Sequence, residues 1–456
     1  MHKTASGKAD CELLMKTKIK LTIKKRSQPG WLTWLIVVFP FLFGLLNDFL
    51  GLPWAIRYVL DMAWCALLIY MLCYNGHFQF KPIRGILSLV ILFFAYTVAV
   101  YMVEFQSPLY YLWGFRNNFR VYVALFAFAL FLSSRDIEDF LSWFDKIFWI
   151  NVVVSLLQFF VWGYNGDHLG GIFGTETGAN GYTHLYFTIV ITKSVLSYLQ
   201  KQESTWNCVS KCSAAMLVAA LAELKFFIAE FALILVLALL FTDFTWRKLW
   251  VIIGGTVAFI GCVALLGVVF PGFKGFFSIE RLYEYAASKQ GYTGYGDLNR
   301  LNAIPQINEQ WLTGWSQRLF GFGLGNCDTS NFALVNTPFY KTYGHMHYNW
   351  FSYAFMYLEC GWIGLIFYFS FFVMTYAKAM KASKRALGKE KVYCMLASIM
   401  AICCMLTSIY NGSLRTESGY MAYFVLSFPY ILEREKNSKR RREHLAEKFA
   451  AEHCVP

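Results

Sequence analysis

Apolar residues fall in long runs separated by short polar or basic stretches. "WLTWLIVVFPFLFGLL", "GILSLVILFFAYTVAVYMV" and "LWVIIGGTVAFIGCVALLGVVF" each approach or exceed the roughly 20 residues that cross hydrocarbon as a helix. The pattern predicts twelve membrane helices, over 31–50, 53–73, 85–103, 115–133, 141–163, 182–199, 210–223, 226–242, 247–270, 350–376, 391–410 and 416–433. The seventh and eighth are short, and "AELK" parts them. No soluble stretch is long enough to stand alone, so the expected fold is one all-α polytopic bundle.

The pattern changes at residues 271–349, a connection far longer than usual. "FFSIERLYEYAASKQ" has helical spacing, with Ile279, Leu282, Tyr283 and Ala286 on one face. "RLNAIPQINEQWL" reads as a second short amphipathic helix, disturbed by Pro305, and "FGFGLGN" as a glycine-dense turn. This segment is expected to fold as a helical cap on the bundle. The chain then divides into a basic amino terminus (1–30), nine membrane helices (31–270), the cap (271–349), three more helices (350–433) and a basic tail (434–456).

Composition agrees with this class. Hydrophobic residues make up 57% of the chain and charged ones only 15%, with mean hydropathy +0.43. A soluble domain carries about 25% charged residues. The formal net charge is +13, and its location matters more than its size. "KTKIKLTIKKR", "KPIR", "KAMKASKRALGKEK" and "REKNSKRRREHLAEK" fall on one side of a twelve-span bundle. The positive-inside rule makes that side cytoplasmic, with both termini there and the cap outside. Beside a membrane helix, the basic amino terminus is expected to meet anionic lipid headgroups and not nucleic acid. About 30 polar, basic residues before the first apolar run argue against a cleavable signal peptide.

Twelve cysteines suggest no disulfide framework, because only Cys327 falls in the large outer loop. Cys208 and Cys212 lack CxxC spacing and a second pair, so no zinc site is expected. HExxH, GxSxG and carboxylate-rich metal motifs are absent from the sequence. "GFGLGN" lacks both the preceding strand and the GK[ST] ending of a phosphate loop. Any chemistry is therefore expected to use arginines and a histidine, without metal or cofactor.

The outward half gathers cations. Arg116 and Arg120 stand one helical turn apart on one face. Lys225 interrupts the seventh and eighth spans, the cap supplies Arg281, Arg300 and Arg318, and the last hairpin supplies Arg415. An ionisable group at membrane depth costs about 2.5–3.5 kcal/mol even on the lenient scale, so it usually faces a cavity or a partner. Snorkelling explains an isolated arginine. A group gathered on the side that ordinarily lacks cations points to a convergent anion site. The glycine-rich loop "GYNGDHLGGIFGTETGANGY" lies on the same side. In "YGHMHYNWFSYAFMYLECGWIG", His345, His347 and Asn349 stand at the mouth of a membrane helix. A lone interfacial histidine, His184 included, is ordinarily a hydrogen-bonded surface residue. Glu359 lies about 18 Å along the helix from His347, too far to be its partner. Asp297 and Glu280 are alternative bases, but both stand beside arginines in sequence.

The order "GDLNRLNAIPQINEQWL", "RLFGFGLGN", a loop-ending histidine and "LECGWIGL" resembles the O-antigen polymerase and O-antigen ligase superfamily. These are polytopic glycosyltransferases of bacterial surface polysaccharide synthesis. Arg300 matches the family's loop arginine, Gly321, Gly323 and Gly325 its glycine turn, and Glu359, Gly361 and Gly364 its helix motif. Lys225 stands where the family has arginine at an outer helix turn, and "HMHYN" separates histidine from asparagine. His347 is nearer to Asn349, but His345 remains a candidate for the same role.

The resemblance implies an undecaprenyl-pyrophosphate-linked oligosaccharide as donor and acceptor, at the outer face of the bacterial cytoplasmic membrane. Arg300, Arg281, Arg116, Arg120, Lys225 and Arg318 would compensate the pyrophosphate leaving group, with Asn349, Gly323 and Gly325 as substrate contacts. A histidine would take the acceptor hydroxyl's proton during inverting displacement. Implied partners are membrane lipids, a flippase and a chain-length regulator. The expected activity is polymerisation of O-antigen, capsular or exopolysaccharide repeats, with ligation to a lipid A core as the alternative. A lipid-glycan transporter would show inverted repeats and midplane charges in broken helices, whereas here the charges cluster at the outer mouth.

Overall fold

The computed structural model describes residues 29–73, 80–105, 107–243, 246–269, 283, 287–288, 291, 293–330 and 332–453. Among these the regular structure is helical, with no strand. The first helices are α1 (Gly30–Val38), α2 (Val59–Leu72), α3 (Arg84–Val103), α4 (Pro108–Phe131) and α5 (Ser134–Phe160). Next come α6 (Asn180–Leu199), α7 (Thr205–Leu221), α8 (Lys225–Phe241) and α9 (Trp246–Val269). The cap contributes α10 (Ala303–Gln310), α11 (Trp315–Phe320) and α12 (Pro338–Tyr343). The chain closes with α13 (Ser352–Ser383), α14 (Gly388–Tyr410), α15 (Gly419–Leu426) and α16 (Phe428–His453).

Six helices are long and apolar enough to cross a membrane: Trp54–Leu72, Lys81–Val103, Ser134–Phe160, Trp246–Leu265, Ser352–Ser383 and Gly388–Tyr410. The protein is an all-α bundle with the build of a multi-pass membrane protein. Its centre is formed by α6, α14 and α15, which are buried nearly all round. A helix covered on every side shows no amphipathic stripe, which is why these segments read simply as apolar. The outer helices α2, α3 and α9 leave Met62, Ile69, Ile91, Leu92, Ile253 and Val257 exposed, as lipid contact requires.

Several boundaries differ from the hydropathy pattern for identifiable reasons. Helix α5 begins at Ser134 and not near 141, because Ser133 and Asp136 form a capping box ahead of the polar turn "SRDIED". Helix α4 likewise starts earlier, at Pro108. The predicted last span is divided at Ser427, where Pro429 has no N–H to give the carbonyl four residues back. Helix α16 then continues through the basic tail. Pro305 does not disturb α10, since it sits in the first turn, where its missing N–H has no helical partner to lose. The basic segment 1–28, Glu280, Arg281 and most of "FFSIERLYEYAASKQ" lie outside the described residues.

The cap is joined to the bundle at a break in α13. Gly361 adopts φ +60°, a left-handed conformation inside a 32-residue helix. The break frees carbonyls, and the glycine turn uses them. Phe322 N donates to Leu358 O at 3.0 Å and Gly323 N to Glu359 O at 2.8 Å. The Tyr96 hydroxyl donates to Cys360 O at 2.7 Å. Glu359 is fully buried, and its Oε1 accepts the Cys327 N–H at 3.1 Å. On the other side of the turn, a Cβ on Gly325 would stand 1.9 Å from Tyr110 O at the start of α4. "FGFGLGN" and "LECGWIGL" are thus two halves of one backbone joint.

Candidate functional site

A cavity of about 990 Å³ lies where the cap meets the bundle. Arg57 enters it from the turn before α2, Arg116 and Arg120 from α4, and His184 from α6. The α7–α8 turn adds Glu223 and Lys225, the cap adds Arg300, Asp328 and Asn349, and the α14–α15 connection adds Arg415 and Glu417. With Asp167 and Glu176 from the glycine-rich loop, six Arg or Lys side chains face five carboxylates.

The loop that carries Glu176 is pinned to α5 by amides. Gln158 Nε2 donates to Gly171 O at 2.9 Å, and its Oε1 accepts from Gly171 N at 2.6 Å. Asn151 Oδ1 accepts from Ile172 N at 2.9 Å. Polar side chains inside an apolar helix thereby fix a cavity wall.

The arginines are held individually. Arg116 makes a two-point contact to Asp61, Nε to Oδ1 at 3.0 Å and Nη2 to Oδ2 at 2.6 Å. Arg120 donates to Glu417 Oε1 at 2.8 Å and to Arg415 O at 2.8 Å, while the Tyr182 hydroxyl donates to Glu417 Oε2 at 2.9 Å. Arg415 pairs with Asp328 at 3.3 Å and lies 3.5 Å from the Phe355 ring centroid. Arg57 pairs with Glu176. Arg300 donates to Tyr410 O at 3.2 Å and stands 4.2 Å above the Tyr410 ring, which stacks on Phe226.

Pairing does not use up these forks. The Nε of Arg57, Arg120 and Arg415 is in each case buried without a hydrogen-bond partner. An unmet buried donor costs about 1–3 kcal/mol, more when charged. Three guanidiniums with unused donors thus stand around one cavity. The carboxylates preset the geometry, so a bound anion meets guanidiniums that need little reorganisation.

The sequence-predicted residues divide into two groups. Arg116, Arg120, Lys225, Arg300 and Asn349 line the cavity together. His345, His347, Arg318, Gly323 and Gly325 are not among its lining residues. Gly323 and Gly325 serve the backbone joint. Arg318 donates to Leu312 O at 2.9 Å and ties a cap turn. Asp297 is buried and accepts from the Thr293 N–H and hydroxyl, both at 2.9 Å, which makes it a loop anchor. Glu280 and Arg281 are outside the described residues.

His345 is exposed, and His347 stacks flat on Trp350, a cavity-wall residue, with ring centroids 3.8 Å apart. Burial lowers the His347 pKa below its ordinary value, Asp297 opposes that shift, and His345 adds to it. His347 is therefore expected to be neutral at pH 7 and to gain its proton only as pH falls below the range of a free imidazole. Nitrogen chemical shifts of labelled histidine, compared with those of a His347→Gln variant, measure this directly. A midpoint at or above that of free histidine would contradict the burial argument.

No known protein family and no curated protein matches the chain. The site's meaning therefore rests on its own chemistry. Among the described residues no group of three or more His, Cys, Asp or Glu side chains could hold a metal ion.

Sequence reasoning passed over Arg57, Asp61 and Glu417, and gave Glu230 no role. Glu230, in "FFIAEFALILV", is buried in α8 beside His184. A carboxylate inside an apolar run was the available signal, since such a group needs a partner or a function. Which cation or imidazole answers it depends on packing, and sequence spacing does not supply that.

Proposed function

We propose that the protein is a membrane glycosyltransferase that extends lipid-linked glycans. It moves an oligosaccharide from a polyprenyl pyrophosphate to a sugar hydroxyl. The supporting observation is the cavity itself, around which held guanidiniums gather at the end of a membrane bundle. Its volume is at the upper end of small-ligand pockets, enough for a diphosphate and its first sugars. Trp54, Trp113, Tyr340 and Trp350 in its wall offer flat faces suited to sugar rings.

On this reading the bundle makes twelve crossings, both termini lie in the cytoplasm, and the cavity opens to the outer face of the bacterial cytoplasmic membrane. The donor is the undecaprenyl-pyrophosphate oligosaccharide, a flippase delivers it, and a chain-length regulator acts on the product. As the bond to the anomeric carbon breaks, negative charge grows on the leaving pyrophosphate. Arg57, Arg120 and Arg415 stabilise that charge through their remaining N–H groups, and Arg300 and Lys225 add to the field. The cap holds donor and acceptor together, which is a proximity effect.

Purified protein given a synthetic polyprenyl-pyrophosphate oligosaccharide, without nucleotide, is expected to lengthen the glycan. Arg57→Lys keeps the charge but removes the fork, and should lower kcat/KM on the order of tenfold to a hundredfold. Lipid movement across vesicles without any new glycosidic bond would replace this reading with a transporter. Transfer to a lipid A core acceptor alone would make the protein a ligase.

A further inference from the structure

We propose that His184 is the base that accepts the sugar hydroxyl's proton, and that Glu230 is its positioning residue. This assignment rests on the glycosyl-transfer reading and adds a residue that the resemblance did not supply. His184 lines the cavity and is 2% exposed. Its Nε2 lies 2.6 Å from Glu230 Oε2, and the same oxygen accepts the Thr188 hydroxyl at 2.8 Å. The single Thr188 hydroxyl hydrogen is within reach of both Glu230 Oε2 and, at 3.0 Å, His184 O, and His184 and Thr188 stand one turn apart on α6.

The proposed role fixes the tautomer. In this assignment Glu230 is the acceptor, so Nε2 carries the hydrogen and Nδ1 presents its lone pair. That Nδ1 is buried and has no hydrogen-bond partner. The pair ties α6 to α8, and the same imidazole stands in the cavity wall. Both residues sit on helices and not on a loop, which fixes the ring's direction. The His347 ring is covered on one face by Trp350 and does not line the cavity.

The step balances without a further reactant. The acceptor oxygen forms its bond to the anomeric carbon of the lipid-linked donor while its proton passes to His184 Nδ1. The bond from that carbon to the pyrophosphate oxygen breaks, and its electron pair leaves with the lipid pyrophosphate. Glu230 stabilises the imidazolium that results, and the proton then passes to water.

The test measures glycan extension by the full-length protein with a lipid-pyrophosphate oligosaccharide, in parallel with pyrophosphate binding followed by thermal stabilisation. His184→Gln should lower kcat about a hundredfold while pyrophosphate stabilisation and donor KM are retained. In His184→Gly, added imidazole should restore part of the lost rate, which a purely structural role would not allow. Glu230→Gln keeps the shape of the pair and should lower kcat about tenfold at unchanged KM. Should His184→Gln misfold, the imidazole response and Glu230→Gln still decide. Wild-type kcat in His184→Gln, or transfer lost in His347→Gln but not in His184→Gln, overturns this assignment alone. Imidazole failing to restore any rate to folded, pyrophosphate-binding His184→Gly also overturns it. Failure of the wild-type protein to form any glycosidic bond overturns the functional reading together with it.

Discussion

Arg120→Leu should be among the most damaging single changes, with an expected cost of about 3–5 kcal/mol of stability. Arg120 is buried in α4, and its Nη1 meets Glu417 at 2.8 Å. Leucine fills much of the space but leaves Glu417 without its ion-pair partner, with the Tyr182 hydroxyl as its remaining donor among these contacts. Arg116 offers no ready replacement, because both ends of its fork are already committed to Asp61. Removing both charges in Arg120→Leu/Glu417→Leu should recover most of the loss, since the penalty comes from the stranded charge more than from the missing pair. Thermal unfolding midpoints of the four proteins in one detergent complete the cycle. Equal midpoints for the wild-type and Arg120→Leu proteins would show that the pair does not hold the bundle together.

Gly325→Ala should cost about 3 kcal/mol or more, for two reasons that add. Its φ is +86°, where an alanine is strained, and its Cβ would stand 1.9 Å from Tyr110 O, a backbone atom that cannot swing aside. The glycine turn would have to leave α4, and Cys327 would then lose its place against Glu359. Gly294→Ala is the matching control, because its φ is +84° but nothing lies within 4 Å of the added carbon. It should show only the backbone penalty, about 1 kcal/mol. Protease cutting of the cap, together with unfolding midpoints, separates the two variants. Similar behaviour in both would mean that the joint is looser than its contacts indicate.

The helices were legible in the sequence because an apolar run of membrane length rarely folds as anything but a spanning or fully buried helix. Their ends were less so. Hydropathy alone does not reveal that Ser133 and Asp136 start a helix ahead of its apolar part, or that Pro429 divides the last one. Five of the six cavity cations, all but Arg57, were visible as charges on the side expected to lack them. Their partners were not, because Arg116 with Asp61 and Arg120 with Glu417 meet only through packing. Gly323 and Gly325 stand out in the sequence as substrate contacts, whereas in the structure they join the cap to the bundle. His184 reads in the sequence as an ordinary interfacial histidine. Its distinguishing feature is a carboxylate 46 positions away, which no local pattern could attach to it.

The distance along the chain between Arg120 and Glu417 bears on biogenesis. They are separated by 297 positions, so a growing chain carries this arginine long before its closest carboxylate exists. At about 5–20 residues per second, the wait is roughly 15 to 60 seconds. Asp61 is made earlier, but it accepts the Arg116 fork and reaches Arg120 only at 3.9 Å. During that interval α4 is poorly suited to stable burial in lipid, and it has reason to stay near the insertion machinery or an aqueous edge. The last hairpin then does more than finish the bundle. By bringing in Glu417 and Arg415 it neutralises α4 and completes the cavity in a single event, so a chain released without that hairpin keeps an exposed buried-type charge that quality control can recognise.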